Sequence, residues 1–131
     1  MTEGALGREY ADREIVVRQG DVGDCLFVVQ DGEVEVVAEH EGHETVLRVL
    51  GSGEIVGEMA VFDRVVRSAT VRAKGLARLL TVDRKNFLRR INEDPSIAFR
   101  VVEGLSARLR DLSQEVVQLR EQLAEARRRV P

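Results

Sequence analysis

The sequence predicts a mainly β fold with added helices: a sandwich or roll of short strands, then short helices, then one long C-terminal helix. The first two thirds of the chain contains short apolar segments separated by glycine or acidic turn signals, which is typical of a sandwich or roll. After Asp83 the spacing of apolar residues becomes helical. From Pro95 to Val130 there is no further proline and only one glycine, Gly104, so a single long helix is expected.

The predicted strands are short segments with an apolar face, bounded by turn-forming residues. In chain order they are Glu14–Val17, Cys25–Gln30, Glu33–Glu39, Glu44–Leu50, Ile55–Val56, Ser68–Ala73 and Ala77–Val82. Asp31-Gly32 lies between two apolar segments and predicts a hairpin turn. Further turn signals are Glu41-Gly42 and Lys74-Gly75.

The helical part begins with two capping signals. Asp83 is expected to cap a short helix. Asp94-Pro95 then starts the long helix, with aspartate as the cap and proline in the first turn. We therefore divide the chain into residues 1–94, the strand-rich domain with its short helix, and residues 95–131, the long helix.

The long helix carries apolar residues at alternating spacings of four and three, the heptad pattern of a coiled coil. These residues are Leu105, Leu109, Leu112, Val116, Leu119, Leu123, Ala126 and Val130. With Leu109 at position a, Glu115 falls at g and Arg120 at e, where they can pair between two chains. The pattern favours a parallel homodimer whose interface contains the first six of these residues. An amphipathic helix lying on its own domain is the alternative interpretation.

Composition and charge indicate a soluble, cytoplasmic protein. The 131 residues, 44% of them apolar, suit one domain with a sizeable core. The net charge of -3 gives no overall attraction to nucleic acid or to an anionic membrane. The N-terminus has no apolar signal segment, and no apolar run is long enough to span a bilayer. The single cysteine, Cys25, cannot form an internal disulfide and is expected to be a buried, reduced thiol.

The sequence offers little support for a metal site or for catalysis. His40 and His43 lie around Gly42 in a predicted hairpin turn, without further ligands at suitable spacing. No nucleophile and base are paired in a recognisable motif. We expect no metal and no enzymatic activity.

The segment Val56–Val71 contains the residues that best indicate a ligand site. Arg67 offers a planar fork of donors to phosphate oxygens, and Glu58 offers acceptor oxygens to a ribose hydroxyl. Gly57 lets the backbone approach a ligand without a Cβ in the way. A short helix over Met59–Asp63 would add free N–H groups facing an anion. Together these residues predict a sugar-phosphate site.

The same residues resemble a known motif. Gly-Glu-Met-Ala-Val-Phe from Gly57, followed by Arg-Ser-Ala-Thr-Val from Arg67, resembles the phosphate-binding cassette of cyclic nucleotide-binding domains. That family includes the catabolite activator protein of bacteria, the regulatory subunits of cyclic AMP-dependent kinase and gated ion channels. Upstream, Arg-Gln-Gly-Asp-Val-Gly-Asp from Arg18 is similar to the family as well, and the resemblance covers roughly Tyr10 to Leu119. It implies a jelly-roll-like β-roll (a double-stranded β-helix), followed by short helices and a long dimerisation helix.

The resemblance implies roles for single residues of the cassette, which also includes Met59. Arg67 would bind the phosphate, and Glu58 would hold the ribose 2′-hydroxyl. Ser68 would add a hydroxyl and a backbone N–H, and the backbone of Ala69 would face the phosphate. Serine rather than threonine at position 68 favours cyclic AMP over cyclic GMP, which remains an alternative ligand.

The base side and the loop before the arginine depart from the family pattern. Leu112 and Ser113 align with two hydroxyl residues that contact the base in the bacterial activator, and here Ser113 keeps the hydroxyl. Val36 and Leu47 are expected to form apolar walls of the pocket. The loop Asp63-Arg64-Val65-Val66 replaces a glycine or proline found in many relatives, and we expect Arg64 to lie in solvent.

These observations predict a cyclic nucleotide sensor, with cyclic AMP as the expected ligand, that signals through its dimerising helix to an unidentified effector protein. No segment remains for a helix-turn-helix domain after the long helix, so direct DNA binding is not expected. Two alternatives remain open. One is a dimeric adaptor with a degenerate β-roll, and the other is a sensor of another ligand such as a cyclic dinucleotide.

Overall fold

The computed structural model describes residues 7–63 and 66–130. In chain order the elements are β1 Arg8–Tyr10, β2 Ile15–Val17, β3 Cys25–His40, β4 His43–Leu50, β5 Ile55–Val56, α1 Glu58–Asp63, β6 Thr70–Asp83, α2 Arg84–Glu93 and α3 Ser96–Arg129. The chain forms two compact units that divide between Arg89 and Arg90. The first contains the strands and α1, and the second contains α3.

The two long strands, β3 and β6, organise the sheet. They pair antiparallel from Cys25 opposite Asp83 to Val37 opposite Thr70. Among the described residues the sheet has six strands in the order β1-β6-β3-β4, with β2 paired to β6 and β5 paired to β3. The predicted fold class, mainly β with helices, is confirmed.

The hairpin predicted at Asp31-Gly32 is wrong. β3 continues through these residues, so the segments predicted as Cys25–Gln30 and Glu33–Glu39 form one strand. The register of β3 against β6 shifts on both sides of Asp31, and Gly32 has φ 81°. A Cβ on Gly32 would collide with the carbonyl oxygen of Leu76, so glycine serves here as a bend within a long strand rather than as a turn.

The turn predicted at Lys74-Gly75 is wrong for the same reason. β6 runs without a break over Thr70–Asp83 and joins the two predicted strands Ser68–Ala73 and Ala77–Val82. By contrast, Glu41-Gly42 does make the predicted hairpin between β3 and β4. Both residues have positive φ, 50° and 79°, as a type I′ turn requires, and His40 pairs with His43 across it.

The core of the first unit lies on the inward face of these strands. It contains mainly valine, alanine and leucine, because the chain has few aromatic residues. Its buried members are Tyr10, Phe27, Val29, Val34, Val36, Leu50, Val56, Ala69, Val71, Ala73, Ala77 and Leu79. Val56 and Ala69 belong to this core and lie within the segment that the sequence predicts as a ligand site, so that segment is attached to the buried core of the domain.

The predicted cap of α2 is present, whereas the N-cap position of α3 is Pro95, one residue after the predicted Asp94, and it makes no side-chain capping hydrogen bond. The Asp83 carboxylate accepts the backbone N–H of Asn86 at 2.8 Å, which caps α2. The Asp94 carboxylate accepts both the N–H of Ser96 at 3.1 Å and its hydroxyl at 2.6 Å, just where α3 begins. These two hydrogen bonds from Ser96 hold the pKa of Asp94 below its ordinary value.

The start of α3 should therefore be acid-sensitive. Because the folded pKa of Asp94 is lowered, its contribution to stability is present above the unfolded pKa of about 4 and is lost as pH falls through the folded pKa. We expect Asp94→Asn to flatten the loss of helical circular dichroism and melting temperature between neutral pH and about pH 2. Asp111→Asn, in the middle of α3, is the matched control and should behave as the parent chain. An unchanged acid profile in Asp94→Asn would contradict this role.

Candidate functional site

The predicted ligand segment begins with a tight turn between β5 and α1. Gly57 follows β5 with φ 83°, a conformation that favours glycine, and α1 then starts at Glu58. The predicted short helix is present and begins one residue earlier than expected. Ala60 and Val61 are buried and attach α1 to the domain, while Met59 is exposed on the other side. The glycine turn thus joins β5 to α1 and places Glu58 at the first position of the helix.

The Arg67 side chain is held beside Cys25, the first residue of β3. One terminal nitrogen donates to the Cys25 carbonyl at 2.9 Å and lies 3.6 Å from the Cys25 sulfur, and the other donates to the Gly57 carbonyl at 3.3 Å. The guanidinium carbon lies 5.7 Å from the centre of the Phe27 ring, within the range of a cation–π contact. With only 8% of its surface exposed, the arginine is fixed beside the glycine turn rather than extended into solvent.

The backbone of Arg67 is also anchored. Its N–H donates to the Asp21 carbonyl at 2.7 Å, and its carbonyl accepts the N–H of Gly20 at 2.9 Å. Val22 and Val66 form a β-bridge beside these bonds. The glycine-containing loop before β3 therefore crosses directly over Arg67 and determines where the side chain starts.

Glu58 and Arg67 are the two charged side chains that are buried within the described part of the chain, and Glu58 is only 3% exposed. A buried carboxylate at the first position of a helix is favoured by the helix dipole. The Gly57 carbonyl that Arg67 contacts is adjacent in sequence to Glu58. The structure thus brings together the two residues that the sequence assigns to phosphate and ribose.

The other predicted site residues have mixed environments. Ser68 is exposed and Ala69 is buried, directly after Arg67. Val36 is buried in the core, whereas Leu47 is 53% exposed on β4, the strand at the end of the sheet order. Leu112 and Ser113 are exposed on α3, in the other compact unit. Roles for these residues in a ligand pocket remain predictions. Arg64, expected in solvent, lies outside the described residues.

Sequence analysis missed the immediate partners of Arg67. Cys25, predicted to be a buried thiol, is a free, half-buried cysteine whose carbonyl and sulfur both face the guanidinium. Phe27 supplies the ring beneath it. No local signal in the sequence links these residues to Arg67, because they are about forty positions away along the chain. The neighbourhood is created by the bonds of Gly20 and Asp21 to the Arg67 backbone and by the pairing of β3 with β5, which ends just before Gly57.

The cassette helix is also connected to α2. Arg84, at the start of α2, donates to the Val61 carbonyl of α1 at 3.2 Å. The rings of Phe62 and Phe87 meet edge to face, with centres 5.9 Å apart. A displacement of α1 would therefore change its contacts with the first turn of α2.

The part of the chain that the structure describes contains no group of three His, Cys, Asp or Glu side chains arranged to hold a metal ion. None of the helices in residues 7–63 and 66–130 is both long and apolar enough to cross a membrane.

Comparison with known proteins gives a consistent result. The family model described as "Cyclic nucleotide-binding domain" matches residues 7–94. A cyclic AMP receptor protein of Thermus thermophilus is 36% identical over 124 residues, covering 94% of this chain and 56% of that protein. The chain spans 19% to 56% of the length of curated relatives, which also include a regulatory subunit of cyclic AMP-dependent protein kinase from Schizosaccharomyces pombe.

Two solved structures extend the comparison. The Thermus thermophilus catabolite activator protein has a TM-score of 0.78 and 34% identity, over 86% of this chain and 53% of that one. The regulator CLP of Xanthomonas campestris, described as responsive to c-di-GMP, has a TM-score of 0.73 and 28% identity, over 89% of this chain and 58% of that one.

Proposed function

The chain belongs to the cyclic nucleotide-binding domain family, and from that premise we propose that it is a regulatory, non-catalytic module that binds cyclic AMP. The observation that carries the proposal is the convergence of two buried charges, Arg67 and Glu58, at the turn before α1. Buried charged groups cluster at functional sites, and the chemistry of these two matches the phosphate and ribose of one ligand.

The contacts of Arg67 explain how the site can accept a phosphate. Its terminal nitrogens now donate to two neutral carbonyls, Cys25 and Gly57. Hydrogen bonds to a charged phosphate oxygen are roughly twice as strong as bonds between neutral groups. A cyclic phosphate placed beside the Gly57 turn would therefore compete well for the same fork, with Ser68 adding its hydroxyl from an exposed position.

The direct test is calorimetric titration of protein that has been unfolded and refolded to remove bound ligand. We expect binding of cyclic AMP at micromolar or tighter affinity, with weaker binding of cyclic GMP. Absence of heat and of competition with every cyclic nucleotide would overturn the proposal and favour the dimeric adaptor with a degenerate roll.

One competing ligand is favoured by a specific observation. The regulator CLP, whose structure matches 89% of this chain, is described as responsive to c-di-GMP. Competition of c-di-GMP against bound fluorescent cyclic AMP separates the two readings. If c-di-GMP displaces the fluorescent ligand at a lower concentration than unlabelled cyclic AMP does, c-di-GMP becomes the proposed ligand in place of cyclic AMP.

Glu58 should report specifically on the ribose. If its carboxylate accepts the 2′-hydroxyl, then 2′-deoxy cyclic AMP should bind the parent chain at least about tenfold and up to about a hundredfold more weakly than cyclic AMP, as expected for a charge-assisted hydrogen bond of roughly 1.5–3 kcal/mol. In Glu58→Gln the difference between the two ligands should shrink to a few-fold, because the acceptor is no longer charged. Glu54→Gln, an exposed carboxylate in the preceding turn, is the control. A full tenfold preference retained in Glu58→Gln would remove Glu58 from the ribose site.

We further propose that ligand binding is transmitted through α1 to α2 and along the chain to α3. The Arg84–Val61 hydrogen bond and the Phe62–Phe87 contact support the first step. The exposed heptad residues of α3 support homodimerisation, which would present the signal to an effector protein. Such a switch requires the ligand to bind two states with different affinity.

A further inference from the structure

Gly23 faces the side chain of Arg67 at very close range. A Cβ on Gly23 would lie 2.5 Å from one terminal nitrogen of Arg67, 2.8 Å from Nε and 2.9 Å from the guanidinium carbon. Real Cβ atoms essentially never approach other atoms so closely, so a methyl group here and the observed guanidinium position exclude one another. Gly23 is not among the glycines with positive φ, so its backbone would accept alanine without strain.

A second glycine borders the guanidinium. A Cβ on Gly57 would lie 2.6 Å from the other terminal nitrogen of Arg67. Substitution of Gly57 would also strain a backbone with φ 83°, so its effects on Arg67 cannot be separated from effects on the turn. Gly23 is therefore the position at which the space around the guanidinium can be changed alone.

The loop that carries Gly23 has little freedom to move away. The Gln19 side chain bonds the backbone of Glu39 twice, at 2.7 and 3.0 Å, and the Gln19 N–H donates to the Thr70 hydroxyl at 2.9 Å. Gly20 and Asp21 bond the backbone of Arg67 itself. Because the loop is held at several points, a methyl group on residue 23 must displace the guanidinium, which lies at the far end of a long side chain.

We propose that Gly23 is a positioning residue for the ligand's phosphate: its missing side chain leaves the space in which Arg67 is held. This inference rests on the proposed function. The turn itself does not require glycine at position 23, because alanine could adopt the same backbone conformation. The absence of a side chain there therefore has a role beyond forming the turn. The contribution of Gly23 acts through Arg67 and not through direct contact with the ligand.

The test is a double-mutant cycle on cyclic AMP affinity. Gly23→Ala should weaken binding by about tenfold or more, since it displaces a group whose complete loss is expected to weaken binding by well over tenfold. In an Arg67→Ala background the same substitution should change the residual affinity by less than about twofold, because the displaced group is already gone. Gly51→Ala is the matched control: its backbone φ is not positive and its Cβ would meet open space. It should bind as the parent chain does.

The structure of Gly23→Ala provides a readout that needs no ligand. We expect the backbone to superpose on the parent and the distance between the Arg67 terminal nitrogen and the Cys25 carbonyl to exceed hydrogen-bonding range, from 2.9 Å in the parent. Parent-like affinity of Gly23→Ala, an equal loss in both backgrounds, or an unmoved guanidinium would each overturn the inference. If the parent chain binds no cyclic nucleotide, the proposed function fails, and the guanidinium position alone decides whether Gly23 positions Arg67.

Discussion

Replacing Arg67 by alanine is expected to weaken cyclic AMP binding by well over an order of magnitude, because removing one partner of a desolvated, charge-assisted pair costs ~2–5 kcal/mol. The side chain is buried and held beside the Gly57 turn by the Cys25 and Gly57 carbonyls, so it loses little conformational freedom when it exchanges these acceptors for a phosphate. Arg67→Lys should recover only part of the affinity, since an ammonium group cannot present two parallel donors to one phosphate. Calorimetric titration with cyclic AMP measures the affinities of the parent chain, Arg67→Ala and Arg67→Lys.

The control for this experiment is Arg89→Ala, which removes an exposed arginine from α2 and changes the net charge equally. Because Arg67→Ala also removes hydrogen bonds that join β3 to the turn before α1, its unfolding curve must be compared with that of the parent. Parent-like affinity in Arg67→Ala would refute the assignment of the phosphate site. A loss of affinity of the same size in Arg89→Ala would show that overall charge, not the fixed fork, drives binding.

The cassette was predictable from sequence because its chemistry is local. Gly57, Glu58 and the short helix are contiguous, and their geometry follows from one left-handed glycine and the first turn of α1. Arg67 follows within the same segment. What brings its side chain back to Gly57 is a long-range arrangement, which local propensity does not encode.

The errors of sequence analysis have a common physical cause. Asp31-Gly32 and Lys74-Gly75 carry the turn chemistry of hairpins, yet β3 and β6 continue through both because each strand bends against the other. Bends in paired long strands need the same backbone freedom as turns, so the two cannot be distinguished until the partner is known. β1, with three residues and no apolar alternation, was missed because pairing with β6 alone defines it.

The partners of Arg67 belong to the same category. Cys25 and Phe27 appear in the sequence as ordinary members of an apolar strand, and Gly23 as part of a turn. Only the bonds of the Gly20–Gly23 loop to the Arg67 backbone and the pairing of β3 with β5 place all three around one guanidinium. Residues that hold a functional side chain in place are thus less visible in a sequence than the functional side chain itself.

Introducing a charge into the heptad seam should convert a homodimer into a monomer. Leu119 occupies a d position and is 55% exposed on α3. In a parallel coiled coil, Leu119→Glu would place two carboxylates opposite each other in an apolar layer, where neither has a partner. We expect the variant to sediment as a monomer at micromolar concentrations at which the parent is a dimer, measured by analytical ultracentrifugation.

Gln118→Glu is the matched control, because it introduces the same charge one residue earlier, at an outward-facing c position, and should remain dimeric. A dimeric Leu119→Glu, or a parent chain that is itself monomeric, would contradict the coiled coil and favour an amphipathic helix that lies on its own domain.

The Leu119→Glu variant also separates dimerisation from ligand binding. Ser113 lies at an e position beside the seam, from which its hydroxyl could reach the ligand of the partner chain. If monomeric Leu119→Glu binds cyclic AMP as tightly as the dimer, the Ser113 hydroxyl from the partner contributes nothing to affinity, and the site is complete within one chain. If affinity falls with the loss of the dimer while that of Gln118→Glu is unchanged, the second chain completes the site, and ligand binding and helix association are thermodynamically linked.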